Sequence, residues 1–194
     1  MVMWKRKIYR IVMGSIAPFF YILTKDIFLP LAISTFFLTL LGALEFERWK
    51  NPSVWKWMTE KYGGVFKKKV GRFTGDTYFM ISNFLVLLLF PYDIAIYSLF
   101  FLTFEDAGSG IIGRKYGKRE IFKGKTLEGL IGGNLFNLAI GFLLLFFVEI
   151  PYPVFFTGVF LSAILEILPI PADDNLSVGL LTPIFMFIVY KVFS

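Results

Sequence analysis

The sequence contains neither cysteine nor histidine among its 194 residues. The lack of Cys excludes disulfides, thiolate metal sites and Cys nucleophiles. The lack of His excludes Ser-His-Asp catalysis and imidazole-bound zinc. Any chemistry must therefore rely on carboxylates, Lys, Arg, hydroxyls and amides, together with a hard cation where one binds.

Charged residues are also scarce, at 18% of the chain, whereas 57% of the residues are hydrophobic and Phe alone occupies 25 positions. The mean hydropathy is +0.70. This composition is too apolar for an ordinary soluble domain, and apolar segments recur along nearly the whole chain. We therefore predict an all-α, polytopic membrane protein in which residues 1–194 form a single integral membrane domain.

Apolar segments separated by turns predict about seven transmembrane helices. These segments are 11–23, 27–44, 77–90, 94–112, 130–148, 154–168 and 176–192. The polar segment 45–75 contains Trp49, Trp55 and Trp57 among Lys and Arg residues, which predicts a short interfacial helix with its indoles at the level of the lipid headgroups.

The distribution of positive charge predicts a cytoplasmic N-terminus. With seven spans in that orientation, 18 of the 20 Lys and Arg residues lie in cytoplasmic segments, and Lys25 and Lys191 lie outside. The same topology places the hairpin 105–129 and the turn 173–175, which begins the second motif 173–177, on the cytoplasmic face. The net charge of +6 suits anionic headgroups or a nucleotide, and it does not indicate nucleic acid, because the basic residues lie between membrane spans.

The charged hairpin between the fourth and fifth spans is the strongest candidate for a functional site. Asp106, Ser109, Gly113 and Gly117 follow i, i+3, i+7, i+11 spacing, which lines one face of a helix. A carboxylate within a span is costly unless it is paired, coordinated or hydrated, so Asp106 is a candidate functional group. The two glycines are interpreted first as helix-packing residues.

The end of this hairpin combines a helix start with a cluster of cations. Thr126 is a predicted N-cap of the fifth span, and Glu128 in the first turn complements the helix dipole. The preceding basic residues are Arg114, Lys115, Lys118, Arg119, Lys123 and Lys125. A helix N-terminus surrounded by cations is a natural phosphate site, although no Walker A sequence occurs here.

Two adjacent acids and an amide, Asp173, Asp174 and Asn175, precede the last span. One Asp is explained as an N-cap. Opposite a second cytoplasmic carboxylate, the pair can also hold Mg²⁺ through oxygen ligands. The polar residues within the neighbouring spans, Glu166, Asn134 and Asn137, are interpreted as helix–helix hydrogen-bonding groups.

Together these residues resemble the CTP-dependent polyprenol (dolichol) kinase family, which includes phytol kinases and CTP-dependent diacylglycerol kinases. That family carries D-x-x-A-x-x-x-G-x-x-x-G, then K-[ST]-x-E-G, then D-N-L-[ST] before a late span. The matching stretches are Asp106 to Gly117, Lys125 to Gly129 and Asp174 to Ser177. Arg72 to Gly75 and the N-terminal Arg6-Lys7 also look like family segments.

The sequence departs from the family pattern at two positions. Ser109 stands where the family usually has Ala, a small change that we expect to be tolerated. Arg10 stands where many members have His, so no role is assigned to Arg10 from the resemblance.

The resemblance implies transfer of the γ-phosphoryl group of CTP to a polyprenol or dolichol, an isoprenoid alcohol, with Mg²⁺ as cofactor. It implies Asp106, Asp174 and Lys125 as catalytic residues and Asp106, Asp173 and Asp174 as metal ligands. The implied nucleotide-binding residues are Gly113, Arg114, Lys115, Gly117, Lys118, Lys125, Thr126, Glu128, Gly129 and Asn175. A prokaryotic, archaeal cell membrane is expected because no eukaryotic targeting tail is visible.

Two other functions are weighed against this one. Phosphatidate cytidylyltransferases have similar first and second motifs, and Ile131-Gly132-Gly133 fits that family. Their terminal signature, which includes a His, does not occur in this sequence, so the kinase is preferred. A membrane transporter or non-enzymatic scaffold would bind no nucleotide at the hairpin, and a transporter would more often show repeats or paired half-helices.

Overall fold

The computed structural model describes residues 2–61, 73–122 and 124–193. Within these ranges the chain forms eight helices and one antiparallel two-stranded sheet, in which Glu120 lies opposite Thr126. The elements are α1 (Val2–Thr24), α2 (Phe28–Lys50), α3 (Pro52–Lys61), α4 (Gly75–Leu89), α5 (Tyr92–Tyr116), β1 (Glu120–Phe122), β2 (Lys125–Thr126), α6 (Leu127–Leu144), α7 (Tyr152–Ile167) and α8 (Asp174–Phe193).

The all-α prediction is confirmed, and each of the seven predicted apolar segments is helical over most of its length, although the fifth, 130–148, extends beyond the end of α6 at Leu144. A helix, α3, also forms in the polar segment 45–75, while residues 62–72 of that segment lie outside the described part of the chain. Four of the described helices, α2, α5, α6 and α8, are long and apolar enough to cross a membrane. The apolar helices α4 and α7 have 15 and 16 residues, or about 22–24 Å at 1.5 Å per residue. Seven spans and a cytoplasmic N-terminus remain predictions.

Helix α5 is the central helix of the bundle. In its most apolar window 72% of the residues are buried, compared with 22–33% in the other three candidate spans. Tyr97 and Phe101 are fully buried there and pack against Phe155 of α7, with ring centroids 6.0 Å apart in each pair. The Tyr97 hydroxyl donates a hydrogen bond to the Val148 carbonyl at 2.9 Å. Because Asp106 lies in the second half of α5, the packing of this helix fixes the position of that carboxylate.

Glycines bring α5 and α6 into close contact. A methyl group at Gly108 would lie 2.6 Å from the Gly132 carbonyl oxygen and 2.8 Å from Phe136 Cβ, and one at Gly132 would lie 2.9 Å from the Gly108 carbonyl oxygen. The space is too small for a side chain at either position, as is typical of small-residue contacts between membrane helices.

Replacing Gly108 by Ala is therefore expected to destabilise the protein by about 1–3 kcal/mol, since the added methyl overpacks the α5–α6 contact. Thermal unfolding in detergent measures this. The control is Gly42→Ala in α2, where an added methyl meets nothing within 4 Å, and its effect should be neutral or slightly stabilising. Equal stabilities of the two variants would contradict the close packing.

Candidate active site

Alternate helix ends meet at one end of the bundle and enclose a cavity of about 360 Å³. The starts of α1, α4, α6 and α8 and the far ends of α5 and α7 contribute to it. The charged residues that line the described cavity divide equally into cations (Arg6, Lys7, Arg10, Arg114 and Lys125) and carboxylates (Glu105, Asp106, Glu166, Asp173 and Asp174). The cavity is thus rich in charge, and the formal positive and negative charges of its described lining are equal in number.

Asp106 is held by two cations from α1. Its Oδ2 lies 2.8 Å from Lys7 Nζ and 3.2 Å from Arg10 Nη1. Lys7 Nζ also donates to the backbone carbonyl of Asp106. Lys7 and Arg10 are only 4% and 6% exposed, so α1 delivers two buried positive charges to this carboxylate. Buried charges of this kind are stable only when paired, and the pairing fixes the Asp106 side chain.

Arg10 extends this cluster to two further helices. Its Nε lies 2.8 Å from Asp76 Oδ1 in the first turn of α4, and its Nη1 donates to Asn175 Oδ1 of α8 at 3.1 Å. The Asn175 side-chain amide in turn donates to Asp173 Oδ1 at 2.8 Å. The acidic motifs of α5 and α8 are therefore joined through one guanidinium.

Lys125 forms a second cluster on the other side of the cavity. Its Nζ lies 2.6 Å from Asp174 Oδ2 and 3.1 Å from Glu166 Oε1, and it donates to the Glu166 carbonyl. Burial alone would lower the Lys125 pKa, but Glu166 and Asp174 outweigh it and hold the pKa above its usual value. Lys125 is thus positively charged at neutral pH, and it lies between the end of α7 and the start of α8.

The N-terminus of α6 is built as predicted. The Thr126 side chain accepts a hydrogen bond from Gly129 N at 3.1 Å, which confirms the N-cap. Glu128 accepts from Lys118 N at 3.0 Å and Arg119 N at 3.2 Å. The Glu128 carboxylate therefore closes the hairpin onto α6 and fixes where Lys125 enters the cavity.

The residues predicted to bind the nucleotide separate into two groups. Gly113, Arg114, Lys125, Thr126, Gly129 and Asn175 line the cavity, whereas Lys115, Gly117, Lys118 and Glu128 are outside its lining. Gly117 ends α5 and packs on Thr126, where an added methyl would lie 2.8 Å from Thr126 Oγ1. Lys123 and Arg72 lie outside the described residues.

The predicted metal ligands do not form a closed cage. No group of three His, Cys, Asp or Glu side chains within the described ranges is arranged to hold a metal ion. Asp106 is paired with two cations and its side chain is 17% exposed, while Asp174 is paired with Lys125 and is 46% exposed. Asp174 is the carboxylate more open to a ligand that arrives from solution.

Several cavity residues were not assigned to the site from the sequence. Arg10 lines the cavity, and no role was predicted for it because it departs from the family pattern. Asp76, which contacts Arg10 from outside the cavity lining, follows the family-like segment Arg72 to Gly75 but had no predicted role either. Glu166 was interpreted as a helix–helix group, but its carboxylate pairs with Lys125 in the cavity. A hydrogen bond between helices is confirmed for Asn137, whose side-chain amide donates to Ser162 of α7 at 2.8 Å. The same prediction is wrong for Asn134, whose side-chain amide donates to the Leu130 carbonyl in its own helix.

Glu105, beside Asp106, is another acid of the cavity wall that had no predicted role, and it is 1% exposed. Its carboxyl lies against Gly133 of α6, where an added methyl would be 2.5 Å from Glu105 Oε1. The small residue at position 133 therefore makes room for a buried carboxyl between α5 and α6.

The start of α4 is anchored from α2 by the buried Glu45. The Glu45 carboxylate accepts from Thr74 N at 2.5 Å and Thr77 Oγ1 at 2.8 Å, and Arg48 Nε lies 2.7 Å from it. These bonds hold the first turn of α4, and with it Asp76, at the height of the cavity.

Comparison with known proteins gives one partial similarity. The chain is 38% identical over 60 residues to CTP-dependent diacylglycerol kinase 1 of Schizosaccharomyces pombe, a stretch that covers 30% of this chain and 28% of that protein. The similarity thus spans less than a third of the relative's length. No family model matches the sequence, and no solved structure matches it.

Proposed function

We propose that this protein is a CTP-dependent lipid kinase that transfers the γ-phosphoryl group of CTP to the hydroxyl group of a membrane lipid. The observation that carries the proposal is the convergence of three motifs, represented by Asp106, Lys125 and Asp174, on one charged cavity at the end of an apolar bundle. The partial similarity to a CTP-dependent diacylglycerol kinase supports the same chemistry. The motif order that resembles the polyprenol kinase family supports it independently.

The cavity suits phosphoryl transfer, which depends mainly on positioning and on stabilising phosphate charge. Lys125 and Arg114 line the cavity. Together with the backbone amides at the start of α6, they would hold the triphosphate of CTP. In the reaction the lipid hydroxyl oxygen bonds to the γ-phosphorus while the bond to the β–γ bridging oxygen breaks, and CDP leaves. The hydroxyl proton passes to one of the carboxylates, Asp106 or Asp174.

The oxygen ligands of the cavity fit Mg²⁺ brought in with the nucleotide. Mg²⁺ is commonly held by one or two carboxylates together with substrate phosphates, and a preformed protein cage is not needed. Asp174, being half exposed, would provide the first carboxylate. Asp173 or Asp106, which line the same cavity, would provide the second. When bound, the ion would neutralise charge on the phosphates.

For the acceptor we propose a lipid alcohol whose hydroxyl lies at the cavity and whose tail lies among the apolar helices. Leu130 and Ile167 line the cavity, and they belong to the apolar helices α6 and α7. The resemblance of the motifs favours a polyprenol or dolichol. The similar protein from S. pombe favours a diacylglycerol as the competing acceptor.

A transfer assay on the detergent-purified protein tests this proposal. It uses Mg²⁺, γ-labelled CTP and, in separate reactions, a polyprenol, a diacylglycerol and a phosphatidate. Label on an alcohol is the expected result and identifies the acceptor class. Label released as pyrophosphate with phosphatidate would show cytidylyl transfer instead, and the absence of both CTP binding and transfer would indicate a transporter or scaffold.

A further inference from the structure

Arg10 of α1 is a buried cation to which the proposed reaction assigns no role. It is 6% exposed, and it contacts Asp76 of α4 at 2.8 Å, Asn175 of α8 at 3.1 Å and Asp106 of α5 at 3.2 Å. The ring of Phe79 lies 5.9 Å from the guanidinium carbon. One side chain thus connects four helices at the edge of the cavity.

The backbone at the start of α4 is shaped around this guanidinium. A methyl group at Gly75 would lie 3.0 Å from Arg10 Nη2 and 3.2 Å from Asn175 Nδ2. The planar, forked donors of Arg can meet several acceptors in fixed directions, which a single ammonium group cannot do. The site is therefore built for an arginine and not simply for a positive charge.

The burial of Arg10 and of its two carboxylate partners favours a positioning role for Arg10 over phosphate binding. The side chains of Arg10, Asp76 and Asp106 are 7%, 12% and 17% exposed, and Arg10 lies between the two carboxylates. Moving Arg10 onto a phosphate would leave both carboxylates without this partner in a poorly solvated place, which is strongly unfavourable. Lys125 differs, because its partner Asp174 is 46% exposed.

We propose that Arg10 is a positioning residue for phosphoryl transfer: it orients Asp106 and Asn175 and locks α1 onto the cavity. This inference rests on the proposed function for the reaction that it assists. It predicts that Arg10 acts on the rate of transfer and much less on the binding of CTP.

Kinetics of Arg10 variants test the inference. Arg10→Lys keeps the charge but loses the forked contacts, and its kcat should fall by about 10–100-fold, as for other groups that orient an active-site ligand. The KM for CTP should change by less than about threefold, because the variant keeps the groups that bind CTP equally in the ground state and in the transition state. Asp76→Asn, which lies outside the cavity lining and removes only an anchor of Arg10, should lower kcat in the same direction.

A double variant and a control separate this effect from loss of folding. The double variant Arg10→Ala/Asp76→Asn removes a positive charge and its negative partner together. Because Asp76 acts only by anchoring Arg10, the kcat of the double variant should be no lower than that of Arg10→Ala. The control is Lys5→Ala, which changes an exposed cation on the same helix and should leave kcat unchanged. A rise in the KM for CTP with kcat unchanged would instead make Arg10 a phosphate ligand and overturn the proposal.

A distance measurement tests the positioning without using activity. Because the chain has no Cys, spin labels can be placed at Ile8→Cys on α1 and Ala172→Cys before α8, both exposed positions. The distance distribution should be narrow in the otherwise unchanged protein and broad in Arg10→Ala. An unchanged distribution overturns the proposal, as does wild-type kcat in Arg10→Lys. Absence of transfer by the wild type would refute the proposed function, and the label distances would still decide whether Arg10 fixes α1.

Discussion

Replacing Asp106 by Asn is expected to reduce phosphoryl transfer by about 1,000-fold or more, because the change removes one preorganised charge at the centre of the site. Asn keeps the size of the side chain but cannot balance Lys7 and Arg10, which both lie within 3.2 Å of Asp106 Oδ2. The α1 wall of the cavity then carries an extra net positive charge. Phosphate would be drawn towards it and away from the transfer position.

The loss should occur in protein that is still folded. Arg10 keeps its contact with Asp76, and the core around α5 is untouched by the change. Far-UV circular dichroism and size-exclusion elution should match the wild type. The control is Asp93→Asn, the same chemical change in the first turn of the same helix, and it should retain near-wild-type transfer. Activity of Asp106→Asn within about tenfold of the wild type would exclude a central role for this carboxylate.

Replacing Lys125 by Met should lower kcat/KM for CTP by about 100–1,000-fold. Met has a similar length and no charge, so the variant removes the cation at the start of α6 and leaves its backbone amides in place. The raised pKa of Lys125 means that this cation is present throughout the neutral pH range in the wild type. Charge-assisted contacts to phosphate are among the strongest hydrogen bonds that a site can provide.

The defect should appear mainly in CTP binding, which isothermal titration with CTP and Mg²⁺ measures directly. Stability should fall by about 1–3 kcal/mol. The exposed pair with Asp174 contributes little to this loss, but the change also leaves Glu166, whose side chain is 17% exposed, without its cationic partner. Lys191→Met, at the opposite end of α8, is the control and should bind CTP like the wild type. Unchanged CTP affinity in Lys125→Met would remove Lys125 from the nucleotide site.

The sequence predicted the helices well because their signal is local. Runs of apolar residues between Pro- and Gly-containing turns place α2 and α4 to α8 within a few residues of where they occur. The start of α1 was missed, since the residues before Ile11 are rich in Lys and Arg and the predicted apolar segment began only at Ile11. These residues are helical, and Lys7 and Arg10 are buried against carboxylates from other helices, so their polarity did not indicate exposure.

The candidate site could be predicted only in part, because many of its contacts join residues that are far apart in the sequence. The resemblance implied that Lys125 and Asp174 belong to one site, and in the structure Lys125 Nζ lies 2.6 Å from Asp174 Oδ2. The contacts of Arg10 with Asp76 and Asn175 join positions 66 and 165 residues apart, and no periodicity in the sequence indicates such pairs. Only the packing of α1 against α4 and α5, and of α8 against the same two helices, brings them together.

An experimental structure of the protein with Mg²⁺ and a non-hydrolysable CTP analogue would show directly whether the charged cavity binds the nucleotide. We expect density for the triphosphate in the cavity, with Lys125 and Arg114 on its oxygens and the ion at Asp174. Arg10 should still contact Asp106 and Asn175. Density for the nucleotide elsewhere on the protein, with the contacts of Lys125 unchanged, would exclude the cavity as the nucleotide site.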